Sequence, residues 1–264
     1  MKSWVIGNWK LNPASLNEVQ ALVDDLVDGV NTQSSALEAC HIMVAPSLLH
    51  LAKVDATLRS TRIKLACQDV SALSATSGAY TGDVSAEQLQ DLGVQWAIIG
   101  HSERRQYFNE QNAILLKKML NCASQGVGVI LCIGESEADF EAGSTTQVLG
   151  EQLTIVADFL QQLDAVEADD YIAHKLMIAY EPVWAIGTGK VPSVEEVTTV
   201  HQFIRERLQS FNSTLAATPI IYGGSVKPDN AQDFAASEQI NGVLVGGAAL
   251  KADSFIDIAK AFSK

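Results

Sequence analysis

Eight short apolar runs, each followed by a segment with a helical pattern, recur along the 264-residue chain. Their apolar character is nearly continuous and does not alternate, which is typical of strands covered on both faces, as in parallel sheets. With no break in composition, these units predict an α/β fold, a single (β/α)8 barrel, as one domain over residues 1–264. A doubly wound sheet is the alternative, because periodicity alone does not separate the two. The predicted strands are 4–8, 41–45, 63–68, 96–100, 127–133, 176–181, 219–223 and 242–247.

Helix-start signals follow several of these runs. In a capping box, a serine side chain accepts the backbone N–H three residues later, and a Glu or Gln there bonds back. The chain has this pattern at Ser15 with Glu18, Ser85 with Gln88, and Ser193 with Glu196. From Leu16 to Val27, apolar residues at helical spacing form one helix face.

The composition excludes several classes of function. The formal net charge is −13 and the isoelectric point is near 4.7, so the surface repels nucleic acids and anionic membranes. The four cysteines contain no Cys-x-x-Cys pair, so we expect neither a zinc site nor disulfides. There is no signal-peptide pattern and no apolar stretch of about 20 residues, so we expect a soluble, cytoplasmic protein.

Polar residues collect at the ends of the predicted strands. Asn8 and Lys10 follow the first strand, His101 and Glu103 follow the fourth, and Glu181 ends the sixth. In a parallel barrel these ends form one rim, so residues that are distant in sequence converge there. The pattern predicts a single site at the mouth of the barrel.

Glycines at the last two strand ends predict a phosphate site. Residues 223–225, Gly-Gly-Ser, follow the seventh strand, and Gly246 with Gly247 ends the eighth. Glycine lets the backbone approach an anion closely, and free N–H groups then donate to it. Either pair alone is ordinary turn glycine, but together they match the usual barrel phosphate position. Walker and G-x-G-x-x-G motifs are absent, so nucleotide binding is unsupported.

The titratable residues at the rim suit acid–base chemistry. His101 lies where a strand gives way to a helix, and the helix N-terminus disfavours protonation of the ring. We expect a neutral donor there; a structural histidine bonded to backbone is the alternative. Glu181 is the candidate general base, because apolar neighbours and excluded water would make it a stronger base. Lys10 supplies a cation for an anionic substrate, unless it is an ordinary solvated lysine.

The connection of residues 69–85 is unusually long and shows no helical pattern until near its end. Long unstructured connections inside compact domains are uncommon and usually functional. Its interior is small and uncharged apart from Tyr80, which favours a segment buried against another surface over a solvated loop.

Seven motifs in chain order resemble those of the triosephosphate isomerase family, and the match runs from the first strand to the last helix. The resemblance implies a (β/α)8 barrel, a homodimer, no cofactor and no metal. It also implies interconversion of dihydroxyacetone phosphate and glyceraldehyde 3-phosphate, in glycolysis and gluconeogenesis. The motifs are "GNWKLN" (7–12), "GAYTGD" (78–83), "IIGHSERR" (98–105), "LCIGE" (131–135), "AYEPVWAIGTGK" (179–190), "YGGSVKP" (222–228) and "LVGGAAL" (244–250).

The resemblance also implies a role for each matching residue. Glu181 aligns with the family's catalytic base and His101 with its neutral electrophile, in the arrangement for which this family is known. Lys10 and Asn8 align with its substrate-binding pair. Glu103 aligns with a carboxylate that lies behind these residues and is counted among the catalytic ones. The aligned phosphate contacts are Gly187, Ser225, Gly246 and Gly247. Residues 183–189 align with a lid that closes over the phosphate, and Thr81 with the loop tip that enters the neighbouring subunit.

The chain departs from the family pattern at the lid and in the long loop. Pro192 lies in the rear hinge of the lid, where a small non-proline residue is common, and Val194 stands where proline is frequent. Proline fixes φ and restricts the residue before it, which bears on lid kinetics. Tyr80 replaces the usual phenylalanine, and Asp69 replaces a frequent asparagine; both bear on the strength of the dimer.

Two other functions compete with the isomerase. A Schiff-base aldolase would use Lys10 as the nucleophile on the same phosphate-binding barrel. A non-catalytic sugar-phosphate sensor would have no need for Glu181, His101 and Lys10 together, so their presence favours an enzyme.

Overall fold

The computed structural model describes residues 2–264 and contains a closed barrel of eight parallel strands. Neighbouring strands pair in chain order, and the last strand pairs with the first. The predicted (β/α)8 barrel is therefore confirmed, and the doubly wound sheet is excluded because an open sheet has no such closing pair. The strands β1 to β8 are Ser3–Asn8, Cys40–Ala45, Lys64–Cys67, Trp96–Ile99, Gly128–Ile133, Leu176–Tyr180, Ile220–Tyr222 and Gly242–Val245.

Helices surround the barrel, and all the predicted capping boxes form at Ser15, Ser85 and Ser193. A further box, at Ser136 with Asp139, starts a short helix after β5. Within residues 2–264, no helix has both the length and the apolar character that crossing a membrane requires. The helices α1 to α11 are Leu16–Thr32, Leu51–Leu58, Ala86–Asp91, Ser102–Phe108, Asn112–Ser124, Glu137–Glu141, Thr145–Leu160, Ala165–Lys175, Val194–Phe211, Ala231–Ala235 and Ala252–Phe262.

The core has two layers because each strand has two buried faces. Inside the barrel, apolar side chains such as Ile6, Met43 and Ile98 form one cluster. The outer faces pack against the helices, and Val5 of β1 belongs to this second cluster. Successive residues of one strand therefore serve both layers, which explains the apolar runs without alternation.

The connection of residues 69–85 forms neither helix nor strand before α3. At its start, Asp69 pairs with Lys118 at 2.6 Å and with Arg104 at 2.8 Å. Burial raises the pKa of the Asp69 carboxyl, and the two cations oppose that shift. The tip of the connection is exposed, with Tyr80 at 46%. The connection is thus anchored at its base and exposed at its tip.

Candidate active site

A cavity of about 710 Å³ opens at the carboxyl-terminal ends of the strands. Its volume lies within the range of small-molecule sites, about 300–1,000 Å³. Residues that follow five different strands line it, as expected for the mouth of a parallel barrel. Most of the predicted site residues meet here: Asn8, Lys10, His101, Glu181, Gly187, Ser225, Gly246 and Gly247.

Glu181 follows the last residue of β6 and is 2% exposed. Its backbone N–H donates to the Ile133 carbonyl at 2.7 Å, which continues the pairing with β5. Its Oε2 accepts the backbone N–H of Ser102 at 2.9 Å, and its Oε1 lies 3.1 Å from His101 Nε2. Both carboxylate oxygens are therefore held by groups at the start of α4.

His101 is buried and is the N-cap of α4, where its Nδ1 accepts the backbone N–H of Glu103 at 3.2 Å. A ring nitrogen that accepts a hydrogen bond carries no proton, so this bond assigns the proton to Nε2. The Nε2 edge of the ring faces Glu181, with 3.1 Å between His101 Nε2 and Glu181 Oε1.

Lys10 has a backbone φ of 52°, which is uncommon for a residue other than glycine. Its N–H donates to Asn8 Oδ1 at 3.0 Å, and its carbonyl accepts Gln68 Nε2 at 2.9 Å. Its Nζ lies 2.7 Å from Glu103 Oε1. Because Glu103 is 43% exposed, this ion pair orients the ammonium more than it stabilises the fold.

Three glycines let the strand ends pack tightly around Glu181. A Cβ on Gly134 would lie 1.8 Å from the Glu181 carbonyl oxygen, and one on Gly223 would lie 2.9 Å from Glu181 Cγ. A Cβ on Gly224 would lie 2.1 Å from Tyr222 Oη. A larger residue at any of these positions would displace the carboxylate or the end of β7.

Gly246 and Gly247 form the other side of the cavity, after β8. A Cβ on Gly246 would lie 3.8 Å from Lys10 Cε, while Gly247 faces open space at the start of a tight turn. Ser225 lines the same cavity. Free backbone N–H groups, a hydroxyl and a nearby ammonium suit a small anion.

Comparison with known proteins identifies the family of this chain. The family model described as triosephosphate isomerase matches residues 3–262. The chain belongs to the triosephosphate isomerase family. The triosephosphate isomerase of Psychrobacter sp. (strain PRwf-1) is 69% identical over 265 residues, with 100% of both chains covered.

More distant relatives with the same name also match the whole chain. The triosephosphate isomerase of Psychrobacter cryohalolentis is 51% identical, over 100% of this chain and 99% of that one. That of Acinetobacter baylyi is 40% identical, over 99% and 96% respectively. The resemblance in the sequence motifs is therefore confirmed, and the chain belongs to a family of isomerases, which are enzymes.

A buried carboxylate anchors the front of the segment that aligns with the family's lid. Glu135 is fully buried, and its Oε1 accepts Tyr180 Oη at 3.0 Å and Trp184 Nε1 at 2.8 Å. Burial raises the pKa of Glu135, and the bonds from Trp184 and Tyr180 oppose that shift. The Val183 N–H donates to the Glu135 carbonyl at 3.2 Å.

The middle of this segment reaches the cavity through residues that need glycine. Gly187 has a φ of 70° and Gly189 has a φ of 79°, a region that favours glycine. Gly187 lines the cavity, and Ser225 Oγ donates to the Ala185 carbonyl at 3.2 Å. The segment is thus connected to the loop after β7, which carries the predicted phosphate site.

Sequence reasoning missed three residues that shape the site. Ser102 holds Glu181, Gln68 holds the backbone of Lys10, and Gly134 makes room for Glu181. Each lies at or just beyond the end of a predicted strand, which was the signal available. Their types are ordinary for loops, so the position alone did not separate them from other loop residues.

Glu103 and Thr81 lie outside the lining of the cavity. Glu103 reaches the site through its ion pair with Lys10. Thr81 is exposed near the tip of the loop 69–85, so within one chain it contributes nothing to the cavity.

Neither a metal-binding cluster nor a disulfide is present in the part of the chain that the structure describes. Within residues 2–264, no group of three His, Cys, Asp or Glu side chains could hold a metal ion. All four cysteines are free and buried. Cys132 lies inside the barrel, where burial and the charge of Glu181 raise the pKa of its thiol well above the usual value.

Proposed function

We propose that this chain is a triosephosphate isomerase that interconverts dihydroxyacetone phosphate and D-glyceraldehyde 3-phosphate. The observation that carries the proposal is the 3.1 Å approach of Glu181 Oε1 to His101 Nε2, in the same cavity as Lys10 and the glycine cradle. An acid–base pair beside an anion site is what a proton shift in a sugar phosphate requires.

In this proposal Glu181 moves one proton between two adjacent carbons. Its carboxylate removes a proton from the hydroxymethyl carbon of the ketose while His101 Nε2–H donates to the carbonyl oxygen, which gives an enediol(ate). The Glu181 carboxyl then returns a proton to the neighbouring carbon, and the new carbonyl forms on the other one. Lys10 stabilises the negative charge that develops on oxygen, and Asn8 positions the substrate.

Both oxygens of Glu181 are engaged by the protein in this structure. The carboxylate would therefore exchange its bond with Ser102 for the substrate's carbon acid during the reaction. Because Glu181 lies just before the lid, residues 183–189, a movement of the lid would carry the base with it. One motion would then place the base and exclude water from the reactive intermediate.

The phosphate of the substrate would bind at Ser225, Gly246 and Gly247, with the N–H of Gly187 added when the lid closes. Glu103 would hold the Lys10 ammonium in place through their 2.7 Å ion pair. The geometry supports a positioning role for Glu103, because it does not line the cavity.

We further propose a homodimer formed through the loop 69–85. Large apolar side chains that follow the strands β1, β2 and β4 are exposed in the single chain, and exposed apolar patches mark interaction sites. They are Leu11 at 92%, Leu49 at 84%, Tyr107 at 72% and Phe108 at 64%. A groove of about 640 Å³, lined by Phe108 and by the two ends of this chain's own loop 69–85, would receive the loop tip of a second copy. Thr81 would then lie beside Asn8 and His101 of the partner subunit.

The remaining parts of the proposal follow from family membership. One barrel domain over residues 1–264 would act without a cofactor or a metal, in the cytoplasm, within glycolysis and gluconeogenesis. The Schiff-base aldolase gains no support from the comparisons, because the family model and the relatives are named as isomerases. Borohydride trapping of Lys10 with substrate would reverse that judgement.

A coupled assay with glyceraldehyde 3-phosphate tests the proposal. Glu181→Asp withdraws the carboxylate by one methylene, and a misplacement of about 1 Å costs about 100-fold in turnover. Binding of 2-phosphoglycolate, which carries the same phosphate, should survive. The matched control is Glu206→Asp on the exposed face of α9, which should leave turnover unchanged. Unchanged turnover in the Glu181 variant would remove this residue from the mechanism.

A further inference from the structure

Two contacts join residues 183–192, which are the lid (183–189) and its rear hinge, to the helix α6, and neither takes part in the proposed proton transfer. The ring of Phe140 stacks on that of Trp184, with centroids 4.3 Å apart and an interplanar angle of 25°. The ammonium of Lys190 pairs with the carboxylate of Glu137. Trp184 lies near the front of the lid and Lys190 near its rear, so α6 contacts both ends.

The lid between these contacts has little packing of its own. Residues 187–191 are all exposed, and the Thr188 hydroxyl bonds only within the lid, to the Trp184 carbonyl at 2.9 Å. By contrast α6 is fixed at its start, where Ser136 and Asp139 form both bonds of a capping box. The position of the lid therefore depends on what holds its ends.

The order of the strands places the lid between α6 and the phosphate cradle. α6 follows β5, the lid follows β6, and the cradle follows β7 and β8, which are neighbours in that order in the barrel. A lid that moves toward Gly246 and Gly247 therefore moves away from α6. The contacts with Phe140 and Glu137 are therefore made while the lid is open.

We propose that Phe140 and Glu137 are positioning residues that hold the lid open against α6, and that both contacts break when the lid closes over the phosphate. This inference rests on the proposed function, because it assumes that the lid closes on a phosphate. Of these two contacts, the stacked rings contribute more. The ion pair is exposed, with Lys190 at 57% and Glu137 at 54%, so it contributes little and is screened by salt.

The first test measures affinity for 2-phosphoglycolate by calorimetry. Phe140→Ala removes the stack from the open lid, so the closed lid becomes more populated and the apparent Kd falls. Stacked aromatic pairs are strong enough to predict a decrease of about 2- to 12-fold. Phe140→Tyr keeps the ring and should bind like the unaltered chain. Glu137→Gln should lower Kd by about twofold at low salt, and this effect should disappear near 1 M salt.

The second test needs neither ligand nor turnover, so it separates this inference from the proposed function. Hydrogen exchange of the Ala185 and Ile186 amides, which bond within the lid turn, should be several-fold faster in Phe140→Ala than in Phe140→Tyr. Equal exchange in the two variants would overturn the inference even if the chain is an active isomerase. A weaker affinity for 2-phosphoglycolate in Phe140→Ala would also overturn it, because the stack would then support the closed lid. If exchange is faster in Phe140→Ala but the chain has no isomerase activity, the contact that holds the lid open is supported and the proposed function is contradicted.

Discussion

At the scale of single residues, Lys10 shows how the site stores strain where the proposed chemistry needs a fixed cation. Its φ of 52° is held by the side chain of Asn8 and by Gln68. A non-glycine residue in this region costs of order 1–3 kcal/mol and persists only when its surroundings over-determine it. Gln68 also donates to the Ala45 carbonyl at 2.8 Å, so one amide links the ends of β1 and β2 and fixes the start of the Lys10 side chain.

His201 predicts how the stability of the fold depends on pH. It is a fully buried residue of α9 that faces Gln239, and burial, aided by Arg205, lowers its pKa from 6.5 to about 3. Its Nδ1 lies 3.2 Å from the Gln239 carbonyl, so Nδ1 carries the proton of the neutral ring. Below pH 6.5 the His201 ring therefore binds a proton in the unfolded chain but not in the folded chain. The stability of the fold falls as the pH falls from 6.5 toward 3.

His201→Asn should remove this part of the acid sensitivity while keeping a donor to Gln239. At pH 4.5 the unaltered chain should have lost roughly 2–3 kcal/mol of folding stability through this residue relative to pH 7. Urea unfolding at several pH values should show the variant with a shallower slope. His174→Asn, at an exposed position on α8, is the matched control and should leave the slope unchanged. Parallel profiles for His201→Asn and the unaltered chain would contradict the argument.

The residues that could be predicted from the sequence differ in kind from those that could not. Glu181, His101 and Lys10 carry chemistry in their own side chains and stood at predicted strand ends. Gln68 and Gly134 act through a backbone carbonyl and through an absent Cβ. Such roles depend on which two strand ends lie within a few ångströms of each other. The closed barrel sets this distance, and neither sequence segment does so alone.

At the scale of elements, the strand pattern predicted the order and number of strands but not their exact ends. The prediction of 219–223 contracts to Ile220–Tyr222, although the Gly223 N–H still donates to the Tyr180 carbonyl of β6 at 2.7 Å. The capping boxes were better signals, since both of their bonds are local. The stack of Phe140 on Trp184 could not be predicted, because it joins the helix α6, which follows β5, to the segment that follows β6.

Pro192 predicts a stiff rear hinge for the lid. It is buried between the exposed Val191 and Ser193, which caps α9, and its ring fixes φ. Pro192→Ala should broaden the conformations of the open lid, so that closing costs about 0.4–1 kcal/mol more. The Kd for 2-phosphoglycolate should rise about 2- to 5-fold.

The control for this hinge is Val191→Ala, which removes a side chain of the same hinge but leaves the proline in place. Its Kd should match that of the unaltered chain. Equal Kd values for Pro192→Ala and Val191→Ala would mean that the proline does not limit the lid.

At the scale of the whole molecule, the charge and the site oppose each other. A net charge of −13 repels a phosphate ester at long range, so the proposed binding depends on Lys10 and on backbone N–H groups within a few ångströms of the phosphate.

The proposed dimer can be tested at the loop 69–85. The long loop 69–85 has a small, uncharged interior and an exposed tip, and the exposed apolar side chains near it follow β1, β2 and β4. Thr81→Arg would place a charge where the proposed dimer buries the tip, and a buried unpaired charge costs several kcal/mol. Light scattering should show the mass of the variant falling from two chains to one at micromolar concentration.

Thr199→Arg, on the exposed face of α9, adds the same charge away from the proposed contact and should leave the dimer intact. Turnover per chain should fall with the mass of Thr81→Arg, because Asn8 and His101 would lose the partner's Thr81 beside them. If Thr81→Arg keeps the mass of two chains, the loop is not the contact. The exposed Leu11, Leu49 and Phe108 would then require another covering surface, since an apolar patch of this kind is unfavourable in water.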